Sequence, residues 1–349
     1  MRFGVFDHLD RGVADLGALY EMRLSLAELY DRAGFHAYHQ AEHHSTPLGA
    51  APSPGIFLAA LAQRTKRLRF GPLVYTLPLY QPLRLIEEIC MLDQMSGGRL
   101  EFGVGKGISP HEVGFYGIDP AEAQARYVEA LAMILEGLRL GAEGGELSFN
   151  GRFYNADRVP MTLAPKQRPH PPLWVGTSHV ETVPWAAANA VNIVGNLPAA
   201  RMRPLVDRYV TEWRALGRDP ASLPCIGMSR HIVVAETDAE ALAIARRAYE
   251  PWRAAFMLLW ETRGGKPPNA MVADDFDGMV AVGRGVAGSP ATVRDWLARD
   301  LVASGANYLL CRFAFGDMTL HEAARSVSLF ADQVMGDISA RAKQVEAVA

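Results

Sequence analysis

The run Ala41-Glu42-His43-His44-Ser45-Thr46-Pro47-Leu48-Gly49 places one carboxylate and two adjacent imidazoles directly after a short apolar stretch, Gly34-Phe35-His36-Ala37-Tyr38. That stretch reads as the approach to a β-strand, so the polar groups fall where the strand ends. On α/β scaffolds chemistry gathers at the C-terminal ends of strands, because the loops there are free to vary. Imidazole titrates near neutral pH and can carry protons to and from a reacting group. Two more strand ends of this kind follow, Gly71-Pro72-Leu73-Val74-Tyr75-Thr76-Leu77-Pro78 and Gly103-Val104-Gly105-Lys106-Gly107. Three polar or glycine-rich strand ends so close in sequence point to one shared site. The glycines of the last one suit close approach of a ligand to the backbone.

The same segment contains a decoy. His39-Gln40-Ala41-Glu42-His43 fits H-x-x-E-H, a zinc-protease pattern. That chemistry needs a helix, which brings two histidines onto one face. In a strand, His39 and His43 would share a face but stand roughly 13 Å apart, too far to share a metal. Asp7 and Glu42 find no second convergent cluster either, so no metal site is expected.

Positioning these groups requires alternating strands and helices, and the chain supplies them. Met1 to Asp7 is a short apolar strand, and a helix from Leu16 to about Arg32 stops at Gly34, a residue suited to a helix C-terminus. Ser53-Pro54 and Pro82 open the next two helices. Arg99 to Val104 reads as the fourth strand. Asp119-Pro120-Ala121-Glu122, Thr237-Asp238-Ala239-Glu240 and Thr319-Leu320-His321-Glu322 have the spacing of capping boxes. Further strands are expected at Pro172–Ser178, Val191–Val194, Ile226–Ala235 and Asn307–Phe313. About eight βα units follow one another without a composition break, which favours a TIM-type (β/α)8 barrel over a doubly wound sheet. The dinucleotide fingerprint G-x-G-x-x-G is absent from the first turn, Asp7-His8-Leu9-Asp10, and fails again after Gly103 and Gly105, where position 108 is Ile. A single domain over residues 1–349 is expected, with irregular excursions near 141–171 and 264–288, the second reading as a lid.

Composition bounds the function classes. Of 349 residues, 49% are hydrophobic and 21% charged, with a formal net charge of −3, which is ordinary for a soluble globular protein. Such a balance does not suit nucleic-acid binding. No apolar run approaches the roughly 20 residues of a membrane span, and no signal-peptide pattern opens the chain. Cys90, Cys225 and Cys311 lack metal spacing and fit reduced core residues. A cytoplasmic location is expected.

The ordered series of motifs resembles the bacterial luciferase-like family of flavin-dependent monooxygenases, as a non-luminescent member. The resemblance rests on Phe3-Gly4-Val5-Phe6, Glu42-His43-His44, the runs Arg64–Gly71, Leu77–Arg84 and Leu92–Gly107, then Gly288-Ser289-Pro290 and Ser328-Leu329-Phe330-Ala331. It is dense over residues 1–140, patchy to 230, and returns from 285 to 336. It implies a TIM-type barrel and the use of reduced FMN supplied by a separate NAD(P)H:flavin reductase, with O₂ oxidising a small or medium organic substrate. In other branches the cofactor is the deazaflavin F420, with hydride transfer in place of oxygen chemistry. A third reading is a non-catalytic flavin-binding subunit, and a homodimer is implied.

The resemblance also implies roles for individual residues. His43 matches the family histidine near the reactive edge of the flavin; strand alternation, independently of the resemblance, turns His44 to the other face, where packing or a bond to Glu42 is expected. Leu73 and Val74 match the place where the third strand bends beneath the flavin, often through a non-proline cis peptide. Lys106 stands where luciferase carries an arginine near the flavin phosphate, and Arg126 stands at a phosphate-binding position. Gly176, Thr177 and Ser178 end the fifth strand before a helix, a place where backbone N–H groups and hydroxyls can hold an anion or simply cap the helix. Gly105 replaces the reactive cysteine of the light-emitting subunit, so light emission is not implied. The Ser109–Gly117 loop and the two excursions are left to recognise substrate.

Overall fold

The computed structural model describes residues 1–12, 15–268 and 272–341. In chain order the first half contains β1 (Arg2–Asp7), α1 (Leu16–Ala33), β2 (Ala37–Gln40), α2 (Pro54–Arg64), β3 (Arg69–Pro72), β4 (Tyr75–Thr76), α3 (Pro82–Met95), β5 (Phe102–Gly105), α4 (Pro110–Phe115), α5 (Ala123–Glu143), β6 (Glu146–Asn150) and β7 (Asn155–Pro160). The second half adds β8 (Leu173–Gly176), α6 (Val183–Ala188), β9 (Asn192–Gly195), α7 (Ala199–Ala215), β10 (Ile226–Val234), α8 (Asp238–Arg263), α9 (Phe276–Ala281), β11 (Gly285–Gly288), α10 (Pro290–Ser304), β12 (Tyr308–Arg312) and α11 (Leu320–Phe330).

The strands order as β3-β2-β1-β12-β10-β9-β8-β5-β4. Each neighbouring pair on this path is parallel. β3 and β4 are halves of one stave interrupted at Leu73-Val74, whose peptide bond is cis. The ring closes where the Phe70 N–H donates to the Arg99 carbonyl (3.0 Å) and the Glu101 N–H donates to the Phe70 carbonyl (2.7 Å). Counting β3 and β4 as one, the staves are β1, β2, β3/β4, β5, β8, β9, β10 and β12, the expected TIM-type barrel.

Local sequence explains the layers. In α1 the buried Leu19, Arg23, Leu26, Ala27 and Tyr30 recur at helical spacing, and Asp15 caps the start through the Ala18 N–H (3.1 Å). Gly34 ends the helix at φ 82°, as its position in the sequence suggested. On β12, Tyr308 and Leu310 face the lumen with Trp174 and Val194, while Leu309 and Cys311 face the helices. The lumen is plugged by rings. His39 Nε2 lies 2.9 Å from the Tyr308 hydroxyl, the Trp174 and Tyr308 rings are 5.0 Å apart, and the Trp174 indole N–H donates to Glu101. His39 therefore belongs to the barrel interior, on a strand and not on a zinc-binding helix. The three cysteines are free and buried. No helix among the described residues is long and apolar enough to cross a membrane.

Both excursions differ from the irregular chain expected. The first contains an antiparallel hairpin, β6 with β7. The second contains α9, and its end is the strand β11, paired in parallel with the upper half of β10 from His231↔Gly285 to Val234↔Gly288. Gly285-Val286-Ala287-Gly288 is fully buried, so it shows no alternation of polar and apolar residues and is too short to be told from a loop by pattern. Residues 269–271, within this excursion, lie outside the described residues.

Candidate active site

Above the plug of rings, the strand ends wall a cavity of about 1250 Å³. Pockets for one small ligand usually measure ~300–1,000 Å³, so this one has room for more. The segments picked out by sequence converge on it. Glu42 and His43 line it from β2, Leu73 and Val74 from the interrupted stave, Gly105 and Lys106 from β5, and Gly176, Thr177 and Ser178 from β8. On α5, Tyr127, Leu131 and Leu135 turn their shared face to the cavity. A smaller cleft of about 480 Å³ lies near α8 and α11, but its Arg247, Glu322, Arg325 and Glu240 are paired with one another.

His43 is buried, with Nδ1 3.1 Å from Glu112 Oε1. The other carboxylate oxygen of Glu112 accepts the His44 backbone N–H at 2.8 Å. Burial alone would raise the Glu112 carboxyl, yet the facing His43 and the His44 N–H outweigh it and hold the group below its ordinary value. With Nδ1–H donated to a carboxylate, neutral His43 keeps Nε2 as its acceptor, a tautomer that follows from the hydrogen bond. His44 takes the other direction, as expected. Its Nε2 lies 2.9 Å from Glu42 Oε1 and its Nδ1 2.8 Å from the Tyr116 hydroxyl. Glu42 also accepts the Tyr80 hydroxyl at 2.6 Å and the Thr76 N–H at 3.4 Å, which joins the end of β2 to β4. His43 and the cis-bonded bend are thereby held in one frame.

Around the ring from β2, the staves β1 and β12 carry residues that sequence reasoning missed. The Trp252 indole N–H donates to His8 Nδ1 at 3.3 Å, and the His8 ring lies 5.6 Å from that of His43. Burial, then the charge of Arg312, pushes the His8 imidazole well below its ordinary value, so it is neutral. Arg312 ends β12, donates from Nε to Ser229 Oγ at 2.9 Å, and lies over the Phe6 ring at 4.7 Å. Burial, then the neighbouring Arg284, lowers it to about 9. Strand alternation carries the missing signal for Arg312: Tyr308, Leu310 and Arg312 must share the inward face. Glu112 was hidden by Ser109-x-x-Glu112, the spacing of a helix cap. Ser109 does accept the Glu112 N–H at 3.3 Å, but the carboxylate turns to the histidines.

The expected anion corner is only partly realised. Lys106 is exposed at the cavity and has no ion pair among the described residues. The Thr177 N–H is already donated to the Val194 carbonyl (2.9 Å), and its hydroxyl accepts the His179 N–H (3.1 Å), as a local cap would. Arg126 does not reach the cavity wall. It pairs with Glu122 at 3.2 Å and its guanidinium lies 4.4 Å from the centre of the Phe153 ring, because Glu122 stands one helical turn before it. Among the described residues no group of three or more His, Cys, Asp or Glu side chains could hold a metal ion.

A parallel eight-stave barrel with histidines and an interrupted third stave at its C-terminal mouth defines a (β/α)8 enzyme framework. The chain belongs to the luciferase-like monooxygenase family, which it matches over residues 1–308. It is 43% identical to the uncharacterized protein y4wF of Sinorhizobium fredii, over 92% of each chain. It is 31% identical to the oxygenase component of the flavin-dependent trigonelline monooxygenase of Acinetobacter baylyi, over 55% of this chain and 53% of that protein. Among solved structures, monooxygenase RslO1 of Streptomyces bottropensis superposes with a TM-score of 0.84 at 27% identity, covering 96% of this chain and 99% of its own. The oxygenating constituent of 3,6-diketocamphane monooxygenase of Pseudomonas putida, solved with FMN, gives a TM-score of 0.79 at 19% identity, covering 97% and 98%.

Proposed function

We propose that this protein is the oxygenase component of a two-component system. It would take reduced FMN from a separate NAD(P)H:flavin reductase and use O₂ to oxidise a small or medium organic substrate. The observation that carries the reading is the convergence, in one cavity, of the His43–Glu112 pair, the cis-interrupted stave and the exposed Lys106. The residues present fit FMN. Leu73 and Val74 offer a half-buried apolar surface, and Lys106 offers a cation for a phosphate. The trigonelline relative is an oxygenase component, and the diketocamphane structure holds FMN, which supports the choice of partner and cofactor.

Reduced FMN, when bound, supplies the electrons that activate dioxygen. The chain's own part is positional and acid–base. Leu73 and Val74 would support the ring system, and Lys106, with Gly176, Thr177 and Ser178 beside it, would hold the phosphate end. His43 can accept a proton at Nε2 while Glu112 fixes its ring and balances the charge gained. Trp252, Phe256 and Trp260, spaced at i, i+4 and i+8 on α8, keep water from the reacting region.

The reading is tested by anaerobic titration with reduced FMN, reduced riboflavin and reduced F420, followed by oxygen. FMN should bind roughly tenfold to a hundredfold more tightly than riboflavin, the worth of a charge-assisted phosphate bond. Lys106→Ala should erase that difference, and oxygen should be consumed on mixing. Selective binding of F420 without oxygen uptake would select hydride transfer instead. Flavin binding that leaves oxygen consumption unchanged would mark a non-catalytic subunit.

A further inference from the structure

Among the described residues, Arg312 is a buried cation without a carboxylate partner. Its side chain is 7% exposed, it lines the cavity, and it forms no ion pair among the described residues. Nε is donated to Ser229, and the Phe6 and Trp252 rings lie 4.7 and 5.8 Å from its guanidinium carbon. Asp10, whose charge is felt at Arg312, makes no ion pair with it: its carboxylate faces Arg23 at 3.6 Å and accepts the Gly316 N–H. A buried charge normally persists only when paired, and the forked guanidinium matches a carboxylate in geometry.

Position sets Arg312 apart from the cation proposed to hold the flavin phosphate. Lys106 follows β5, the fourth stave, and Arg312 ends β12, the eighth. In a ring of eight these stand on opposite sides of the mouth, so a phosphate held at Lys106 leaves Arg312 unneutralised. The neighbours of Arg312 also suit an organic anion. Ser229 lines the cavity at its side, and His8 is a neutral ring whose Nδ1 accepts from Trp252, leaving Nε2–H as a donor. Trp252 and Phe256 supply flat apolar walls. A phosphate dianion would call for more cationic donors than one guanidinium.

We propose that Arg312, with Ser229 and His8, forms the subsite for the carboxylate of the substrate, which is an organic acid with a ring-bearing apolar body packed against Trp252 and Phe256. Held there, the body of the acid extends toward His43, whose ring neighbours that of His8. The inference rests on the monooxygenase reading for the word substrate, but the subsite itself can be tested without flavin or oxygen.

The test is calorimetric titration of the flavin-free protein with benzoate, and with benzamide as its uncharged counterpart. Benzoate should bind and benzamide should bind about tenfold to a hundredfold more weakly, the worth of a charge-assisted bond. Arg312→Met should weaken benzoate by a similar factor, Arg312→Lys should retain part of the affinity, and Lys106→Ala should leave it unchanged. Trp252 fluorescence should respond to benzoate in the wild type. Equal affinity for benzoate and benzamide, or benzoate binding indifferent to both Arg312 variants, would overturn the subsite. Loss of reduced riboflavin binding in Arg312→Lys, with no benzoate binding in the wild type, would hand the guanidinium to the flavin ring and also overturn it. Benzoate binding alongside failure of the reduced-flavin titration would leave the subsite standing and remove the oxygenase reading.

Discussion

Glu112 decides what His43 can do. A histidine in a cavity wall can rotate, change tautomer or sit unprotonated; one bonded through Nδ1 to a carboxylate presents Nε2 and can hold the proton it gains. His43→Ala is therefore expected to keep the fold and the flavin affinity while turnover falls about 10²–10⁴-fold. Unchanged turnover would make His43 structural. Glu112→Gln makes a pH prediction. The carboxyl is held below its ordinary value, so its stabilising contribution is complete above the unfolded pKa of ~4.3 and is lost as pH falls through the depressed folded value. Glutamine still accepts the His44 N–H but carries no charge. The variant should be less stable than wild type by about 1 kcal/mol at pH 7, with the gap closing as the pH falls below ~4. Thermal melts across that range check it, and a gap independent of pH would show that the ionised form of Glu112 plays no part. At this scale the sequence reveals residues whose position follows from a strand end, such as His43, Leu73, Val74 and Lys106. Arg126, read from the resemblance, lies off the cavity wall and makes an i,i+4 pair with Glu122, an alternative use of the same residue type that sequence alone does not separate.

The seam between the third and fourth staves is the element on which the site depends. Gly103 and Gly105 were expected to let a ligand approach the backbone; Gly105 lines the cavity, and the neighbouring stave also comes close to both. A Cβ at Gly103 would lie 2.0 Å from the Pro72 carbonyl oxygen, and one at Gly105 would lie 2.6 Å from Val74 Cγ2. The two glycines should therefore respond differently to alanine. Gly103→Ala drives backbone against backbone and should destabilise the fold by about 3 kcal/mol or more, the upper end of overpacking costs. Gly105→Ala pushes only on the Val74 side chain, which lines the cavity, so it should weaken flavin binding with a smaller loss of stability. Denaturation midpoints and flavin titrations on both variants separate these outcomes; equal effects on both readouts would refute the distinction. Elements with flanking signals were legible for physical reasons. Asp15 and Gly34 bracket α1, and Thr319 with Glu322 forms the full capping box of α11. Asp119 and Glu122 mimic that pattern without forming it: Asp119 caps a short 3₁₀ turn, and Glu122 spends its carboxylate on Arg126 and Arg152. β11 was illegible because a four-residue, fully buried strand has neither period nor cap.

At the scale of the whole molecule, the count of βα units was enough to give the barrel, since eight such units in one unbroken chain close most readily into a ring. The count could not say which strand ends would face each other across the mouth, and so could not show that Lys106 and Arg312 stand opposite. That arrangement leaves one side of the cavity for a phosphate and the other for a second molecule, with His43, after β2, midway between them around the ring. The glycine fingerprint that would hold a pyrophosphate at a helix N-terminus is missing from the first strand–helix turn and fails after Gly105; Gly283-Arg284-Gly285-Val286-Ala287-Gly288 matches it in sequence, but Gly285–Gly288 form the buried strand β11. The purified chain is accordingly expected to oxidise no NADPH by itself, with or without added FMN. Oxygen uptake should begin when a separate flavin reductase with NADPH, or chemically reduced FMN, is supplied, and it should require no contact between the two proteins if reduced flavin diffuses between them. An oxygen electrode with the reductase confined behind a dialysis membrane makes the measurement. Steady NADPH oxidation by this chain alone would defeat the two-component reading, because the chain would then be reducing its own flavin.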